Sequence, residues 1–438
     1  MHRRSLLAAA GATAALAAAP ARPQPPRTAL AVLADPSRAD SVLGVGMIAR
    51  GRDGRVVLAE AQGRGVLGEG PTRRERAFTL DTPVRVASIS KLVAMTGFMR
   101  LVERGAIGLD DDVSRTLGFR LRHPAHPDVA ITPRRLASHT AGLRNGEAYP
   151  VPVGRRLQDA LTPGAPLFEN GGWFAPPSAG PDAFAYADVN FAVLAQLIER
   201  LGGERFDRFM TRTLLRPLRL DAGYNWSGVG QARRDLASAC CRKSDGVWSP
   251  QVDAVVPPAP QVRILAAPDR PGLTADDVRL GENGFAFSPQ GGLRASVRDL
   301  DRLARAYGGV ARGARGGPLT PSSLAQMQAP AWRHDGRNGD TTNGFYRAYG
   351  LAVQIPTGID GAGGDAFFGP GSSDWRGHFG EAYGLVSGLF WNTKDGRTLS
   401  WIINGTPSEA KDAPGRRSAL TAWEEAVIDA GLGAQAKR

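Results

Sequence analysis

Residues 86–104 read Val-Ala-Ser-Ile-Ser-Lys-Leu-Val-Ala-Met-Thr-Gly-Phe-Met-Arg-Leu-Val-Glu-Arg, a serine and a lysine at the start of an apolar run. The apolar positions recur at helical spacing as far as Gly105, which predicts a central helix that begins at Ser88. Residues three apart share a helix face, so the Lys91 amine can reach the Ser88 hydroxyl. Because a serine hydroxyl is a weak nucleophile that needs a local base, the pattern predicts Ser88 as nucleophile and Lys91 as its proton partner.

The rarity of lysine in this chain adds weight to that interpretation. Only five of the 54 basic residues are lysines, and Lys91 is one of them. Arginine serves equally well for a surface charge or a carboxylate partner, but only an amine titrates at accessible pH. A Ser-x-x-Lys pattern also arises by chance, so the motif needs partners elsewhere in the chain.

Strand patterns occur at both ends of the chain, with helix signals between them. Two apolar runs split by residues 51–54 predict an N-terminal hairpin, and later strands are predicted at 349–355, 384–391 and 398–404. Helix starts are predicted near Thr132, Asp188 and Ser296, and a closing helix over 418–430.

We therefore expect an α+β fold, with one antiparallel sheet built from both termini and flanked by helices, and a mostly helical inserted lobe. The expected sheet lobe comprises about 40–85 and 340–435, and the expected helical lobe about 86–339. Both lobes belong to one catalytic domain over 22–435, with the active site between them.

Five segments together resemble the serine β-lactamase and penicillin-binding-protein superfamily. They are residues 86–91, 131–143, 186–188, 288–293 and 377–380, in the order and rough spacing of that superfamily. The likeness spans about 42–404 and is greatest to the branch that holds class C β-lactamases, D-alanyl-D-alanine carboxypeptidases and related esterases. It implies a β-lactamase/transpeptidase-like fold and an enzyme that acylates a serine.

The resemblance also implies roles for individual residues. Ser88 is then the acylated nucleophile, Lys91 its proton partner, and Tyr186 a phenol that relays a proton between nucleophile and leaving group. The backbone N–H groups of Ser88 and Glu381 form the oxyanion hole. Gly380 lets the substrate backbone approach the strand that lines the site.

Asp188 departs from the pattern of that branch, which usually has asparagine there. An aspartate at this position can form an ion pair with Lys91 and keep the lysine protonated. We therefore assign Asp188 to the catalytic group and expect the site to rely on Tyr186 as base more than on Lys91. A role for Asp188 as a simple helix N-cap remains open and is compatible with the ion pair.

The segment 377–380 also departs from the pattern, because His378 stands where β-lactamases have the lysine of Lys-Thr-Gly. Histidine supplies no permanent cation at neutral pH, so we expect Arg376 or Arg294 to bind a substrate carboxylate instead. His378 itself is assigned a catalytic role, and this histidine resembles carboxypeptidase, aminopeptidase or esterase members more than true β-lactamases. His139, in the segment 131–143, is assigned a structural role.

The N-terminal residues 1–21 predict an export signal. Paired arginines precede an apolar run over 6–19, which is shorter than the roughly 20 residues that span a bilayer. The pair resembles a twin-arginine signal of bacteria, so we expect a periplasmic or secreted protein without a stable membrane span.

Composition narrows the expected partners. The formal charge is +12, but the arginines are scattered and not interleaved with aromatics, so we expect no nucleic-acid partner. Loose association with an anionic cell envelope remains open.

No cluster has metal-ligand spacing and no phosphate-binding loop is present, so we expect neither metal nor cofactor. A bond between adjacent Cys240 and Cys241 would be strained, so no disulfide is expected.

Two functions remain in competition. The leading hypothesis is a hydrolase for a small-molecule or short-peptide substrate: a D-amino-acid peptide or amide, an ester or a β-lactam. Within it, a carboxypeptidase, aminopeptidase or esterase is favoured over a true β-lactamase. The alternative is a catalytically silent binding protein of the cell envelope with the same fold. Retention of Ser88, Lys91 and Tyr186 together favours the enzyme.

Overall fold

The structure, a computed structural model, describes residues 28–67, 75–255, 257–261, 269–311, 317–406 and 414–437, so the expected export signal lies outside it. The helices are α1 Ala29–Leu33, α2 Ile89–Glu103, α3 Val113–Leu117, α4 Pro133–Ala137, α5 Gln158–Leu161, α6 Val189–Gly202, α7 Phe206–Met210, α8 Gln231–Arg234, α9 Val297–Ala311, α10 Pro321–Gln328 and α11 Ala422–Ala436. The strands are β1 Gly44–Arg50, β2 Val56–Val66, β3 Arg76–Ala77, β4 Val84–Arg85, β5 Gly223–Tyr224, β6 Cys240–Ser244, β7 Val247–Val252, β8 Leu293–Ala295, β9 Trp332–Arg333, β10 Ala348–Tyr349, β11 Trp375–Ala382, β12 Leu385–Asn392 and β13 Thr398–Asn404.

A six-stranded sheet in the order β11-β12-β13-β1-β2-β3 forms the framework, and all its neighbouring strands are antiparallel. Residues 51–55 connect β1 to β2, and they include the predicted hairpin signal at 51–54. The sheet therefore joins strands from the N-terminal part of the chain to strands from its C-terminal part. This arrangement confirms the α+β fold with a sheet built from both ends.

Alternate residues along the sheet face two separate cores, as the pleat of a strand requires. On β1, Ile48 belongs to the core that contains α2, α6 and α9, whereas Val45 and Met47 belong to the core under α11. Helices therefore cover both faces of the sheet. A second, three-stranded sheet of β4, β8 and β5 carries the chain into α2.

Helix α2 is buried along most of its length, which explains why its sequence shows so little polar surface. It packs against α6 and against β11 and β12. The first turn of α2 thus lies where the helical part of the chain meets the edge strand of the large sheet. This junction positions Ser88.

Three local predictions can be compared with the structure. The capping box before α9 is confirmed, because the backbone N–H of Ser296 donates to Asp299 and the N–H of Asp299 donates to Ser296. The strand predicted over 349–355 is wrong, since only Ala348–Tyr349 is a strand and Ala352 adopts a φ of 56° that ends the extended backbone. The closing helix begins at Ala422, later than predicted, because Thr421 forms its capping box.

The two cysteines lie in the interior of the fold. Cys240 and Cys241 are both buried on β6, and they are not joined in a disulfide. Within the described ranges, no helix is long and apolar enough to cross a membrane. The same ranges contain no cluster of histidine, cysteine or acidic side chains suited to a metal ion.

Candidate active site

A sharp turn between β4 and α2 presents Ser88. Ala87 has a φ of 47°, in the left-handed region that non-glycine residues seldom adopt and that often marks a functional site. The Ser90 hydroxyl holds this turn by donating to the Ala87 carbonyl at 2.6 Å and accepting from the Leu293 N–H at 2.9 Å. Ser88 occupies the N-cap position of α2 without using its hydroxyl as a cap, and it lines a cavity of about 590 Å³.

The side chain of Lys91, three residues after Ser88 on the same helix face, reaches the serine hydroxyl. Its Nζ donates to Ser88 Oγ at 3.0 Å and to the Gln290 carbonyl at 2.9 Å, and it lies 2.6 Å from Asp188 Oδ1. An ammonium has three protons to donate, so these three partners satisfy it fully. Since the side chain is only 1% exposed, water does not compete for those bonds.

Charge pairing holds both Lys91 and Asp188 ionised. Burial opposes the charged form of Lys91, but the Asp188 carboxylate and Tyr186 together outweigh it and raise the lysine pKa above its ordinary value. Burial likewise opposes ionisation of Asp188, yet the Lys91 ammonium and the hydroxyl of Tyr149 bring the pKa of that carboxyl below its ordinary value. Lys91 is therefore a cation in the resting site and has no free electron pair to act as base.

The N-cap role considered for Asp188 is wrong, because its side chain makes no capping hydrogen bond to α6. Asn145 takes that role, since its Oδ1 accepts the backbone N–H of Asp188 at 3.0 Å and of Val189 at 3.2 Å. The second oxygen of Asp188 accepts a 2.6 Å hydrogen bond from the hydroxyl of Tyr149. Sequence reasoning missed Asn145 and Tyr149, which lie in a loop and belong to no recognisable motif.

Tyr186 lines the same cavity as Ser88. Its hydroxyl is buried and has no hydrogen-bond partner among the residues that the structure describes, so it can serve a bound molecule. The Lys91 Nζ lies 4.8 Å from the centre of its ring. The ring also stacks on Tyr346 at 4.9 Å and lies 4.3 Å from His139.

His139 supports the segment that carries Tyr186. Its Nδ1 accepts the backbone N–H of Ala187 at 3.1 Å and is 3.1 Å from Asn190 Nδ2. Burial, followed by the charge of Lys91, lowers the pKa of His139 well below its ordinary value, so the ring is neutral. These contacts agree with the structural role expected for it.

Strand β11 passes directly over Ser88. A Cβ at Gly380 would lie 2.4 Å from the Val86 carbonyl oxygen and 3.2 Å from the Ser88 nitrogen, so the position requires glycine. Gly380 and Glu381 both line the cavity beside Ser88. The backbone of Gly380 thus lies beside that of Ser88, whereas the oxyanion hole of the Ser88 and Glu381 N–H groups stays a prediction.

The structure does not support contact between His378 and a substrate. The imidazole is fully buried and does not line the cavity. Its Nδ1 is bonded to the Phe379 carbonyl and its Nε2 to the Tyr349 hydroxyl at 2.7 Å. Burial lowers the pKa of His378 to about 3, so the ring is neutral. His378 is therefore a packed group behind Tyr186, which corrects the catalytic role predicted for it.

Both arginines predicted to bind a carboxylate lie away from the cavity. Arg294 is fully buried, and both its Nε and Nη2 donate to the carboxylate of Asp253. Arg376 donates to the backbone carbonyls of Gln328, Ser373 and Trp375. Because each guanidinium is already bonded elsewhere, neither fills the predicted role.

The cavity has aromatic walls and an acidic end. Phe345, Tyr346 and Phe379 line one part, and Glu381 and Glu424 line another. Burial raises the pKa of Glu424 to about 7. Of the described residues that line the cavity, none is a lysine or arginine. The glycine-rich loop 357–374 contributes only Ala362 and Gly363 to the cavity, because Phe367 and Phe368 are buried in the core under α11.

Comparisons with known proteins find a penicillin-binding protein and a carboxypeptidase/endopeptidase among the relatives of this chain. The chain is 26% identical over 168 residues to penicillin-binding protein 4* of Bacillus subtilis, covering 36% of this chain and 33% of that protein. It is 27% identical over 151 residues to the D-alanyl-D-alanine-carboxypeptidase/endopeptidase AmpH of Escherichia coli K12, covering 32% and 36%. The chain thus spans about a third of the length of these two relatives.

Solved structures and a family model extend the likeness to nearly the whole chain. The D-amino acid amidase of Ochrobactrum anthropi SV3, complexed with L-phenylalanine, superposes with a TM-score of 0.62 at 16% identity, covering 93% of this chain and 98% of that one. The model of the Beta-lactamase family matches residues 32–422. The chain therefore belongs to the Beta-lactamase family, with the β-lactamase/transpeptidase-like fold of its serine hydrolases.

Proposed function

We propose that the protein is an exported hydrolase that cleaves an amide or ester through an acyl-enzyme on Ser88. The observation that carries this proposal is the 3.0 Å contact between Ser88 Oγ and the cationic Lys91, at the edge of a cavity that Tyr186 shares. A nucleophile, a fixed positive charge and a free phenol there provide what acyl transfer needs.

In the proposed reaction Tyr186 transfers the protons and backbone N–H groups stabilise the negative charge. Tyr186, beside the Lys91 ammonium, acts as the general base and takes the proton of Ser88 while Oγ bonds to the substrate carbonyl carbon. The carbonyl oxygen becomes an oxyanion that the Ser88 and Glu381 N–H groups stabilise. Tyr186 then passes the proton to the departing amine or alcohol. A water attacks the acyl-enzyme by the same route, which releases the acid and restores the Ser88 hydroxyl.

We further propose that amides and esters are better substrates than β-lactams. The neutral His378 and the distant Arg376 and Arg294 leave the described cavity lining without the cation that would hold a β-lactam carboxylate. The names of the carboxypeptidase and amidase relatives support amide chemistry.

The test compares a D-amino-acid anilide, a short nitrophenyl ester and a chromogenic cephalosporin, with Ser88→Ala as the blank. Fastest turnover of the cephalosporin would contradict this preference.

The Asp188→Asn variant tests the protonation states assigned to the site. Without the carboxylate, burial dominates and the pKa of Lys91 falls, so the ammonium that supports Tyr186 is lost at lower pH. We expect the basic limb of the kcat/KM profile to move to lower pH by about one unit or more. An unchanged basic limb would show that Lys91 is not held as a cation by Asp188.

Export is proposed from residues 1–21 alone. Cell fractionation of the native host, followed by N-terminal sequencing of the mature protein, tests it. Recovery of an unprocessed protein in the cytoplasm would contradict it.

A further inference from the structure

The cavity that contains Ser88 also holds side chains that the proposed reaction leaves unused. Two glutamates and three aromatic rings line it, namely Glu381, Glu424, Phe345, Tyr346 and Phe379. Lys91 contacts Ser88 but does not line the cavity, and its charge is paired with Asp188 at 2.6 Å. Since none of the described lining residues is basic, the wall that a substrate meets is negative.

Glu424 is held by one carboxylate oxygen and keeps the other available. Its Oε2 accepts the backbone N–H of Thr421 at 3.1 Å and the Thr421 hydroxyl at 2.8 Å, which closes the capping box of α11. Among the residues that the structure describes, none donates to Oε1. Glu424 is only 5% exposed, and a buried carboxylate oxygen without a donor is costly unless a ligand or water satisfies it. Because Glu424 lines the cavity, a molecule bound there can reach it.

The aromatic rings of the lining form a corner. The ring planes of Phe345 and Tyr346 stand at 87° with their centroids 4.8 Å apart, and the ring of Phe379 lies 5.4 Å from Phe345. The face of an aromatic ring carries partial negative charge and attracts cations, and aromatic cages bind quaternary ammonium groups in this way. Rings and carboxylates in one cavity therefore suit the same chemical group, an organic cation.

We propose that the cavity selects substrates that carry an organic ammonium group, bound by the Glu424 carboxylate and by the rings of Phe345 and Tyr346. This inference rests on the proposed function, because it names the substrate class of the same site. The cavity of about 590 Å³ has room for such a group beside the bond that Ser88 attacks. Glu424 touches no reacting atom, so it is a specificity residue.

The experiment uses two pairs of esters in which carbon replaces a quaternary nitrogen without a change of shape. One pair, acetylcholine and its isostere dimethylbutyl acetate, differs in the leaving group. The other pair differs in the acyl part and consists of the nitrophenyl esters of trimethylammonio-butyrate and of its isostere dimethylhexanoate. The assay is run at about pH 8, above the pKa of about 7 to which burial raises Glu424. The wild type is expected to favour the cationic ester of at least one pair roughly 10-fold in kcat/KM, and the favoured pair identifies the part of the substrate that reaches Glu424.

Three variants assign the preference to its source. Glu424→Gln is expected to lower the cationic-to-neutral ratio of kcat/KM by roughly 10-fold, and it keeps the fold because glutamine also closes a capping box. Phe345→Leu is expected to retain part of the preference. Asp429→Asn is the matched control, since Asp429 lies on the same helix but pairs with Arg417 and does not line the cavity. This control leaves the ratio unchanged.

Absence of a cationic preference in both pairs, or a preference that survives Glu424→Gln, would overturn the inference. Calorimetry on Ser88→Ala separates that result from failure of the proposed function, because binding needs no turnover. We expect the cationic ester of the favoured pair to bind more tightly than its isostere, and the difference to disappear when Glu424→Gln is added. Equal affinities would reject the ammonium site. Selective binding of the cation by a wild-type protein that hydrolyses none of the four esters would instead reject the proposed hydrolase and keep the site.

Discussion

Replacing Ser88 by alanine is expected to lower kcat/KM for ester or amide hydrolysis by at least about 10⁴-fold. The hydroxyl supplies the bond to the acyl group and accepts a hydrogen bond from Lys91. The residual rate would come only from the oxyanion hole and from substrate binding.

The same variant is expected to remain folded. The Ser88 side chain makes no capping hydrogen bond in α2, so its removal costs the helix little. Circular dichroism and thermal unfolding of Ser88→Ala should match the wild type within about 1 kcal/mol of unfolding free energy. Activity near the wild-type level in a folded Ser88→Ala protein would show that another group is the nucleophile.

Replacing Lys91 by methionine is expected to reduce kcat/KM by roughly 10²- to 10⁴-fold. Methionine fills a similar volume but removes the positive charge that lies beside the Tyr186 ring and donates to Ser88 Oγ. It also leaves the Asp188 carboxylate without its ion pair. We expect a loss of about 3 kcal/mol in unfolding free energy, at the low end for buried pairs because the Asp188 side chain is 23% exposed.

A double variant separates these two effects. Lys91→Met combined with Asp188→Asn removes the uncompensated charge, so stability should recover while activity stays low. Urea unfolding and steady-state kinetics on both variants measure the two quantities. Recovery of activity together with stability would mean that Lys91 serves the fold and not the reaction.

Short-range patterns were sufficient for much of the fold and for the centre of the site. The spacing of Ser88 and Lys91 was informative because a helix brings residues three apart onto one face. Asp188 was informative because a carboxylate in place of an amide changes the charge of a buried neighbour. The strands β1, β2, β12 and β13 carry apolar runs bounded by turns, so the β1–β2 hairpin and the β12–β13 pair were predictable.

The errors concern side chains whose partners come from distant parts of the chain. Arg294 was expected in the site, but Asp253, 41 residues earlier, takes its charge. His378 was expected to act on substrate, but Tyr349 and the backbone occupy both its nitrogens. The hydroxyl of Tyr149 reaches Asp188 across 39 residues from a loop without a motif. Sequence pattern indicates which groups can bond, whereas packing decides which of them meet.

Covalent labelling tests the central claim most directly. The folded protein is incubated with a fluorophosphonate or a fluorescent β-lactam, and the adduct is located by intact-mass and peptide mass spectrometry. We predict one adduct per chain, on the peptide that carries Ser88, with no adduct in Ser88→Ala. A folded protein that takes up no acylating or phosphonylating probe would contradict the account and favour a binding protein with this fold, and an adduct on a different residue would contradict it equally.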